Sequence, residues 1–262
     1  MTTKATTAAK KTTKKTTTTS SSKARARLTA PEVLARLEKL GKPQTLKTYA
    51  RHAGGLDLGA FGVSFADIGK IRKEIGRDHD LALALWASGR LEARIIATMV
   101  ADPAQVTAAL ADRWVGEAGH WAVGNYLADL VARSEVADEA MKRWMRSRAE
   151  IEQVAGYGLL GSLLVGRTPP SEALCAKVLE TIEREIHGAP NRARYAMNGA
   201  LIAIGGYVPA LRARALAAAR RIGKVEVDHG DTDCKTPDAA EYIEKMAARQ
   251  AQKTGKKAGK GA

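Results

Sequence analysis

The stretch LALALWASGRLEARIIATMVADP, residues 81–103, decides the fold class of this chain. Asp78 precedes it as a helix cap, Ser88-Gly89 interrupts it, and Asp102-Pro103 begins the segment that follows. Between these breaks, Leu, Ile and Ala recur at helical spacing. The stretch therefore predicts two short helices in succession, with a third running from Val106 to Val115.

The same pattern extends through residues 28–244. Pro31 and Pro43 open earlier helices, and Ser64 caps another. Later helices are predicted in pairs: 119–133 with 136–147, 149–165 with 171–187, and 191–204 with 208–222. A pitch of about 35–40 residues per pair is typical of helical-repeat arrays. We therefore expect an all-α, antiparallel helical-repeat solenoid of about six pairs, with a compact irregular helical domain as the alternative.

Composition agrees with a helical body. The chain holds only two Phe and four Trp, while Ala and Leu dominate its apolar residues. Its two cysteines, Cys175 and Cys234, argue against a disulfide framework and are typical of a reducing compartment. The sequence has neither a signal-peptide apolar run near its start nor 18 consecutive apolar residues. We expect a cytoplasmic, nucleoid-associated monomer with no membrane segment.

The excess positive charge lies at the two ends. Residues 1–27 hold eight Lys or Arg and residues 245–262 hold six, with no acid in either, which accounts for the net charge of +14. Both segments lack the apolar residues that a core needs, so we expect disordered tails. Cationic tails favour a polyanionic partner, and Lys10, Lys11, Lys14 and Lys15 are candidate DNA contacts. A role in solubility alone is the alternative.

Three stretches carry a resemblance to a known family. Residues 81–103, with Trp86 and the triplet Glu92-Ala93-Arg94, resemble the DNA alkylation repair proteins. Residues 182–205 and 220–243 look like the C-terminal part of one branch of that family. The resemblance spans about 35–243, nearly the whole body. It implies a HEAT-like repeat fold that binds double-stranded DNA and, in active members, hydrolyses the N-glycosidic bond of N3- or N7-alkylated purines without a cofactor.

The family pairs a Trp with an Asp four residues later, which stabilise an oxocarbenium-like sugar and position a water. The matching stretch here is His120-Trp121-Ala122-Val123-Gly124-Asn125-Tyr126. Spacing i, i+4 predicts that Trp121 and Asn125 share a helix face. The aromatic is retained, but the acid is replaced by an amide, which cannot carry the stabilising negative charge. If that charge supplies about 3–4 kcal/mol, its loss costs roughly 10²–10³ in rate.

A second departure concerns DNA contact. Active members place an Arg on a following helix, and the matching position here is Val154. Arg146 or Arg148 is a candidate substitute from the preceding turn. Asp129, one turn beyond Asn125, is a candidate replacement acid, with a solvated or capping charge as the competing interpretation.

Other candidates each have a structural alternative. Arg94 is a phosphate ligand or the partner of Glu92 in an ion pair. Tyr126 is counted with the DNA contacts because it neighbours Asn125. The remaining tryptophans are expected to pack between repeats, and these are Trp86, Trp114 and Trp144.

Two loops carry the remaining candidate site residues. Gly188-Ala189-Pro190 is flanked by polar residues that either hold a phosphate or structure the loop, namely His187, Asn191, Arg192 and Arg194. Residues 227–238 pack acids, His229 and Cys234 before a helix predicted to be capped by Thr236. Their spacing fits no common zinc pattern, so we predict no metal site and a loop that hydrogen-bonds its own turns.

Three functions remain open at this point. The first is an alkylpurine DNA glycosylase that uses Trp121 with Asn125 or Asp129. The second is a non-catalytic DNA- or RNA-binding relative, and the third is a protein scaffold. A basic groove separates the first two from the third, and an acid on the Trp121 face separates the first from the second.

Overall fold

Polar caps and glycine stops divide the chain into short helices. The side chains of Ser64, Asp78 and Thr107 accept hydrogen bonds from backbone N–H groups in the first turns of their helices. Gly76 ends one helix with φ +75°, a conformation that favours glycine. The computed structural model describes residues 27–53, 57–166 and 169–258.

These residues form thirteen α-helices, listed here in chain order: α1 (Ala30–Leu40), α2 (Pro43–Ala53), α3 (Phe65–Ile75), α4 (His79–Ala87), α5 (Leu91–Val100), α6 (Ala108–Glu117), α7 (Trp121–Val131), α8 (Ala137–Met145), α9 (Glu150–Val165), α10 (Glu172–Glu185), α11 (Asn191–Tyr207), α12 (Arg212–Ile222) and α13 (Ala239–Ala258). Short 3-10 turns lie at Pro103–Gln105, Ile186–Gly188 and Pro209–Leu211. The predicted all-α fold is confirmed, although the segment after Asp102 opens with a 3-10 turn before α6.

The helices stack in two layers. In the inner layer, α3, α5, α7, α9, α11 and α13 each pack on the next. The outer layer contains α4, α6, α8, α10 and α12, and most of these pack on the inner helix that follows them in sequence. Each pair buries its apolar face against its neighbours, as expected of a repeat array.

Among the described helices, none alone could cross a membrane. Only the bent pair Asn191–Tyr207 and Pro209–Ile222, at 112°, meets the length and composition required.

Tryptophan packing joins successive repeats. Trp86 stacks on Trp114 with ring centroids 4.2 Å apart and planes 3° apart. The indole N–H groups of Trp86 and Trp144 donate to carboxylates, Glu117 at 2.6 Å and Asp112 at 2.8 Å. All three rings are buried, so the core role predicted for them is confirmed.

The predicted C-terminal tail begins inside a helix. α13 continues through residue 245 to Ala258, because Ile243 and Met246 pack on α11 and Gln250 donates to the Gly206 carbonyl at 2.9 Å. The tail was predicted from the positive charge of this segment, without regard to the helical spacing of its apolar residues. The tail boundary predicted at residue 245 therefore falls inside a described helix. At the other end, Lys10, Lys11, Lys14 and Lys15 lie outside the described residues, as do residues 1–26 as a whole.

Two further expectations are corrected. Asp238, not Thr236, accepts the first-turn hydrogen bond of α13, from the Glu241 N–H at 2.8 Å. Thr236 instead contacts the His229 ring at 3.0 Å. Arg27, counted with the N-terminal tail, forms an ion pair with Asp78 and anchors the chain before α1.

Candidate functional site

Three candidate site residues, Trp121, Asn125 and Asp129, lie along one face of α7. The other side chains of this helix are mostly buried among neighbouring helices, whereas Trp121 is half-buried and Asn125 and Asp129 are exposed. Spacing i, i+4 and i+8 accounts for this stripe. The predicted pairing of Trp121 with Asn125 on one helix face is present in the structure.

Trp121 lies beneath a cation. The guanidinium of Arg192, from α11, lies 5.6 Å from the centre of the indole ring, and the His120 ring lies 5.0 Å from the same ring. The indole N–H of Trp121 is buried and has no hydrogen-bond partner among the described residues. A buried donor left unpaired costs about 1–3 kcal/mol, so a ligand that accepted this hydrogen bond would recover part of that cost.

A cavity of about 300 Å³, the Trp121 cavity, opens beside this ring. Helices α7, α9 and α11 supply most of its lining: Trp121, Asn125, Val154, Tyr157, Gly158, Gly161, Arg192, Tyr195, Ala196, Gly199 and Ala200. Val154, the position where the family places an Arg, thus faces the cavity as an apolar wall. No Asp or Glu occurs among the described residues that line it.

Two distant segments close the rest of the cavity. The end of α2 contributes His52, and the loop before α13 contributes His229 and Cys234. These two segments meet where Gly230, at φ +68°, lies against the Arg51 carbonyl so closely that a Cβ there would collide. We call His52, His229 and Cys234 the cover. The cover thus helps to enclose the space that Trp121 lines.

An open groove of about 1360 Å³ adjoins the cavity along α3, α5, α7 and α9. Asn125, Gly158 and Gly161 line both spaces, so the cavity and the groove adjoin at these residues of α7 and α9. The charged groove residues are three cations and three acids, namely Arg72, Lys73, Arg133, Asp129, Glu135 and Asp138. The groove lining is thus mixed in charge, unlike the basic lining expected of a DNA groove.

Asp129 and Tyr126 belong to the groove and not to the cavity. Asp129 lies two helical turns from Trp121, about 12 Å along the axis, and its Oδ1 accepts a hydrogen bond from Ser162 Oγ at 2.5 Å. Tyr126 lies in a row of aromatic rings, with 6.1 Å between its centroid and that of Phe65. Neither residue lines the Trp121 cavity. Two other acids, Glu150 and Asp228, line an adjoining space of about 280 Å³ that Trp121 and Arg192 also line.

Burial and nearby cations lower the pKa values of two histidines near Trp121, His120 and His52. His120, buried at the start of α7, accepts a hydrogen bond from the Ala122 N–H on Nδ1, at 3.2 Å. Desolvation by burial, followed by the charges of Arg192 and the nearby His52, lowers the pKa of His120 from 6.5 to about 4. Desolvation, with Arg192 the first charge after it, also lowers the pKa of His52. At neutral pH, Arg192 is therefore the cation that faces Trp121.

The predicted Glu92–Arg94 ion pair is wrong. Glu92 is fully buried and accepts hydrogen bonds from backbone N–H groups of residues 61–63, at 2.7–3.1 Å. Arg94 donates instead to the Glu117 carbonyl at 2.6 Å and lies 5.3 Å from the Trp86 ring. Arg94 does not line the Trp121 cavity, and its role as a DNA contact stays a prediction.

The other predicted arginines separate into two groups. Arg192 lines the cavity, and its backbone N–H donates to Glu150 at 2.6 Å. Arg194 is partly buried on the same helix, with its Nε unpaired among the described residues. Arg146 and Arg148 are exposed in the turn between α8 and α9 and line neither the cavity nor the groove.

The two loops behave mainly as structural elements. Asn191 exchanges two hydrogen bonds with the backbone of Asp228, each 2.7 Å, and His187 contacts the Ile222 carbonyl at 3.0 Å. Within residues 227–238, Thr232 Oγ1 donates to the His229 carbonyl at 3.0 Å, which is the self-bonded loop expected from the sequence. No cluster of three or more potential metal ligands occurs among the described residues.

Sequence reasoning missed most of the cavity wall. His52, Tyr157 and Tyr195 carry no motif, and only the fold brings them together. The unusual composition of residues 227–238 was a usable signal for His229 and Cys234, but it did not indicate that this loop closes a cavity over Trp121.

Known proteins resemble this chain along almost its full body. Two uncharacterized proteins, from Listeria innocua and Listeria monocytogenes, are 31% and 30% identical to it over 226 residues, which is 85% of this chain and 99% of theirs. A solved structure superposes with a TM-score of 0.77 at 29% identity, covering 85% of this chain and 95% of the other. That structure is described as one of a new family related to the HEAT-like repeat DNA glycosylases, with affinity for branched DNA structures.

The model of the DNA alkylation repair enzymes matches residues 33–243, which is most of the chain and nearly all of the helical body. The matched region contains both helical layers, Trp121 and the cover. The chain therefore belongs to the DNA alkylation repair enzyme family and has its HEAT-like repeat fold.

Proposed function

We propose that this chain is a DNA-binding member of its family that recognises branched DNA and does not hydrolyse alkylpurine glycosidic bonds. The observation that carries the proposal is the Trp121 face. Asn125 stands where the family resemblance implies a carboxylate, and no described residue lining the cavity supplies another. A neutral amide hydrogen-bonds a base or sugar but leaves an oxocarbenium ion without a counter-charge.

Three features support DNA as the partner. The family and the fold are those of DNA repair proteins, and the structural relative is described as having affinity for branched DNA structures. The N-terminal residues 1–26 hold seven Lys or Arg and no acid. Phosphate contacts from such a segment supply affinity without reading sequence. The groove, whose lining is mixed in charge, does not add to this support.

The proposal is tested by fluorescence anisotropy with a three-way junction and a linear duplex of the same sequence, at one fixed salt concentration. We expect the junction to bind at least about tenfold more tightly. Trp121→Ala should reduce this preference, because base stacking on an aromatic ring contributes roughly 1–3 kcal/mol. The matched control is Tyr207→Ala, which removes an exposed aromatic at the far end of α11. Equal affinity for the two DNAs would contradict the proposal.

A second candidate function is slow excision of alkylpurines. The retained Trp121, with its unpaired indole N–H and Asn125 one turn away, favours it. In that case Asn125 holds the attacking water, and the missing charge makes the rate about 10²–10³ lower than with a carboxylate.

A further inference from the structure

The cover changes what can reach Trp121. In an open groove a duplex would lie directly against the indole ring. Here His52, His229 and Cys234 complete a cavity of about 300 Å³, the low end of the range for small-molecule sites. A duplex is far too large for this space, whereas one nucleoside turned out of a helix is of suitable size. The mouth of the cavity is taken as its boundary with the groove, which Asn125, Gly158 and Gly161 line on both sides.

The lining suits a flat aromatic ring with polar edges. Trp121, Tyr157 and Tyr195 supply aromatic surface, and the buried indole N–H of Trp121 is an unused donor. Asn125 adds an amide, which both donates and accepts. A nucleobase matches this combination of stacking surface and edge hydrogen bonding.

The charge around Trp121 has both signs. Arg192 lies over the ring, while Glu150, which accepts the backbone N–H of Arg192 at 2.6 Å, and Asp228 line an adjoining space that Trp121 also lines. Because these opposite charges lie close together, the cavity does not require a charged ligand, and an uncharged base needs no counter-charge there.

We infer that the Trp121 cavity binds one uncharged, extrahelical nucleobase of DNA, such as an unpaired base at a branch point. The inference rests on the proposed DNA-binding function and deepens it. Branched DNA offers unpaired bases at little cost, because they are already free of a pairing partner.

Photocrosslinking tests the inference directly. The probe is a three-way junction with a single unpaired 5-iodouracil at the branch point, irradiated with bound protein, and the crosslinked peptide is identified by mass spectrometry. We expect the crosslink on the peptide that contains Trp121 or on the one that contains Tyr195. Crosslinks confined to other peptides, with the junction still bound, would overturn the inference and leave the DNA-binding proposal intact.

The chain offers a matched pair of variants. Gly161 lies at the mouth of the cavity with no atom within 4 Å of where its Cβ would be, so Gly161→Leu should occlude the mouth without disturbing the fold. Gly116 on α6 has the same free space and lies away from the cavity. We expect Gly161→Leu to reduce the crosslink at least tenfold and Gly116→Leu to leave it unchanged. Equal crosslinking by both variants would contradict the inference.

Competition by a free deoxynucleoside gives an independent readout. We expect free deoxynucleoside to leave the crosslink unchanged at the concentration at which the junction itself binds. Suppression of the crosslink at that concentration would overturn the inference, because the ligand would then not be a base held in DNA.

Discussion

Protonation of His120 should destabilise the fold in a defined pH range. The side chain is 9% exposed, and its pKa falls from 6.5 to about 4 on folding. The folded state thus holds the neutral ring, whereas the unfolded chain takes up a proton as the pH drops below about 6.5. Stability from this group is complete above pH 6.5 and is lost as the pH falls toward 4. Each pKa unit corresponds to about 1.36 kcal/mol, so the full loss is roughly 3 kcal/mol.

The perturbation is His120→Asn, which keeps an oxygen able to accept the Ala122 N–H but does not titrate. The assay is urea unfolding followed by circular dichroism at pH 7 and pH 4.5. The free energy of unfolding should fall by about 2–3 kcal/mol more in the wild type than in His120→Asn over this interval. Comparing the change in the free energy of unfolding between the two pH values removes any packing cost of the substitution that does not depend on pH. Parallel pH profiles for the two proteins would refute the reasoning, because they would show that His120 titrates alike in both states.

Deleting residues 1–26 should lower the slope of log affinity against log salt by up to about 6 in electrophoretic or anisotropy titrations, since seven cations are lost; an unchanged slope would restrict this segment to another role. Trp114→Ala should cost roughly 3–5 kcal/mol of stability because it leaves a core cavity, whereas Trp121→Ala should change the melting temperature little and weaken DNA binding; the reverse pattern would make Trp121 a core residue. Asn125→Asp should raise alkylpurine release by as much as about 10²–10³ if the scaffold still positions the lesion, and a release rate no higher than that of the wild type would locate the difficulty elsewhere than at the amide.

Much of the fold could be predicted from local signals. Asp78 and Ser64 are caps whose side chains act within their own first turns, so a single sequence is sufficient to identify them. The limits of α13 could not be predicted from charge alone. Its first helical turns are held by Ile243 and Met246 packing on α11, a contact between elements that the sequence does not display.

The candidate site likewise contains residues that local spacing predicts and residues that only the fold brings together. Trp121 and Asn125 lie one turn apart on one helix, and helical spacing is sufficient to place them together. His52 and His229 are far apart in sequence and meet over the cavity only because residues near the two ends of the chain converge there. The buried carboxylate of Glu92 shows the same limit, since its partners are backbone N–H groups some thirty residues away.

The most direct measurement is single-turnover release of N3-methyladenine and N7-methylguanine from alkylated DNA, without heating and with wild-type protein in excess. Binding is verified in the same samples by anisotropy. The account predicts that the DNA is bound while base release stays at the level of protein-free DNA. Rapid release by the wild-type protein would contradict it, and would show that this chain supplies the missing charge from a group other than Asn125.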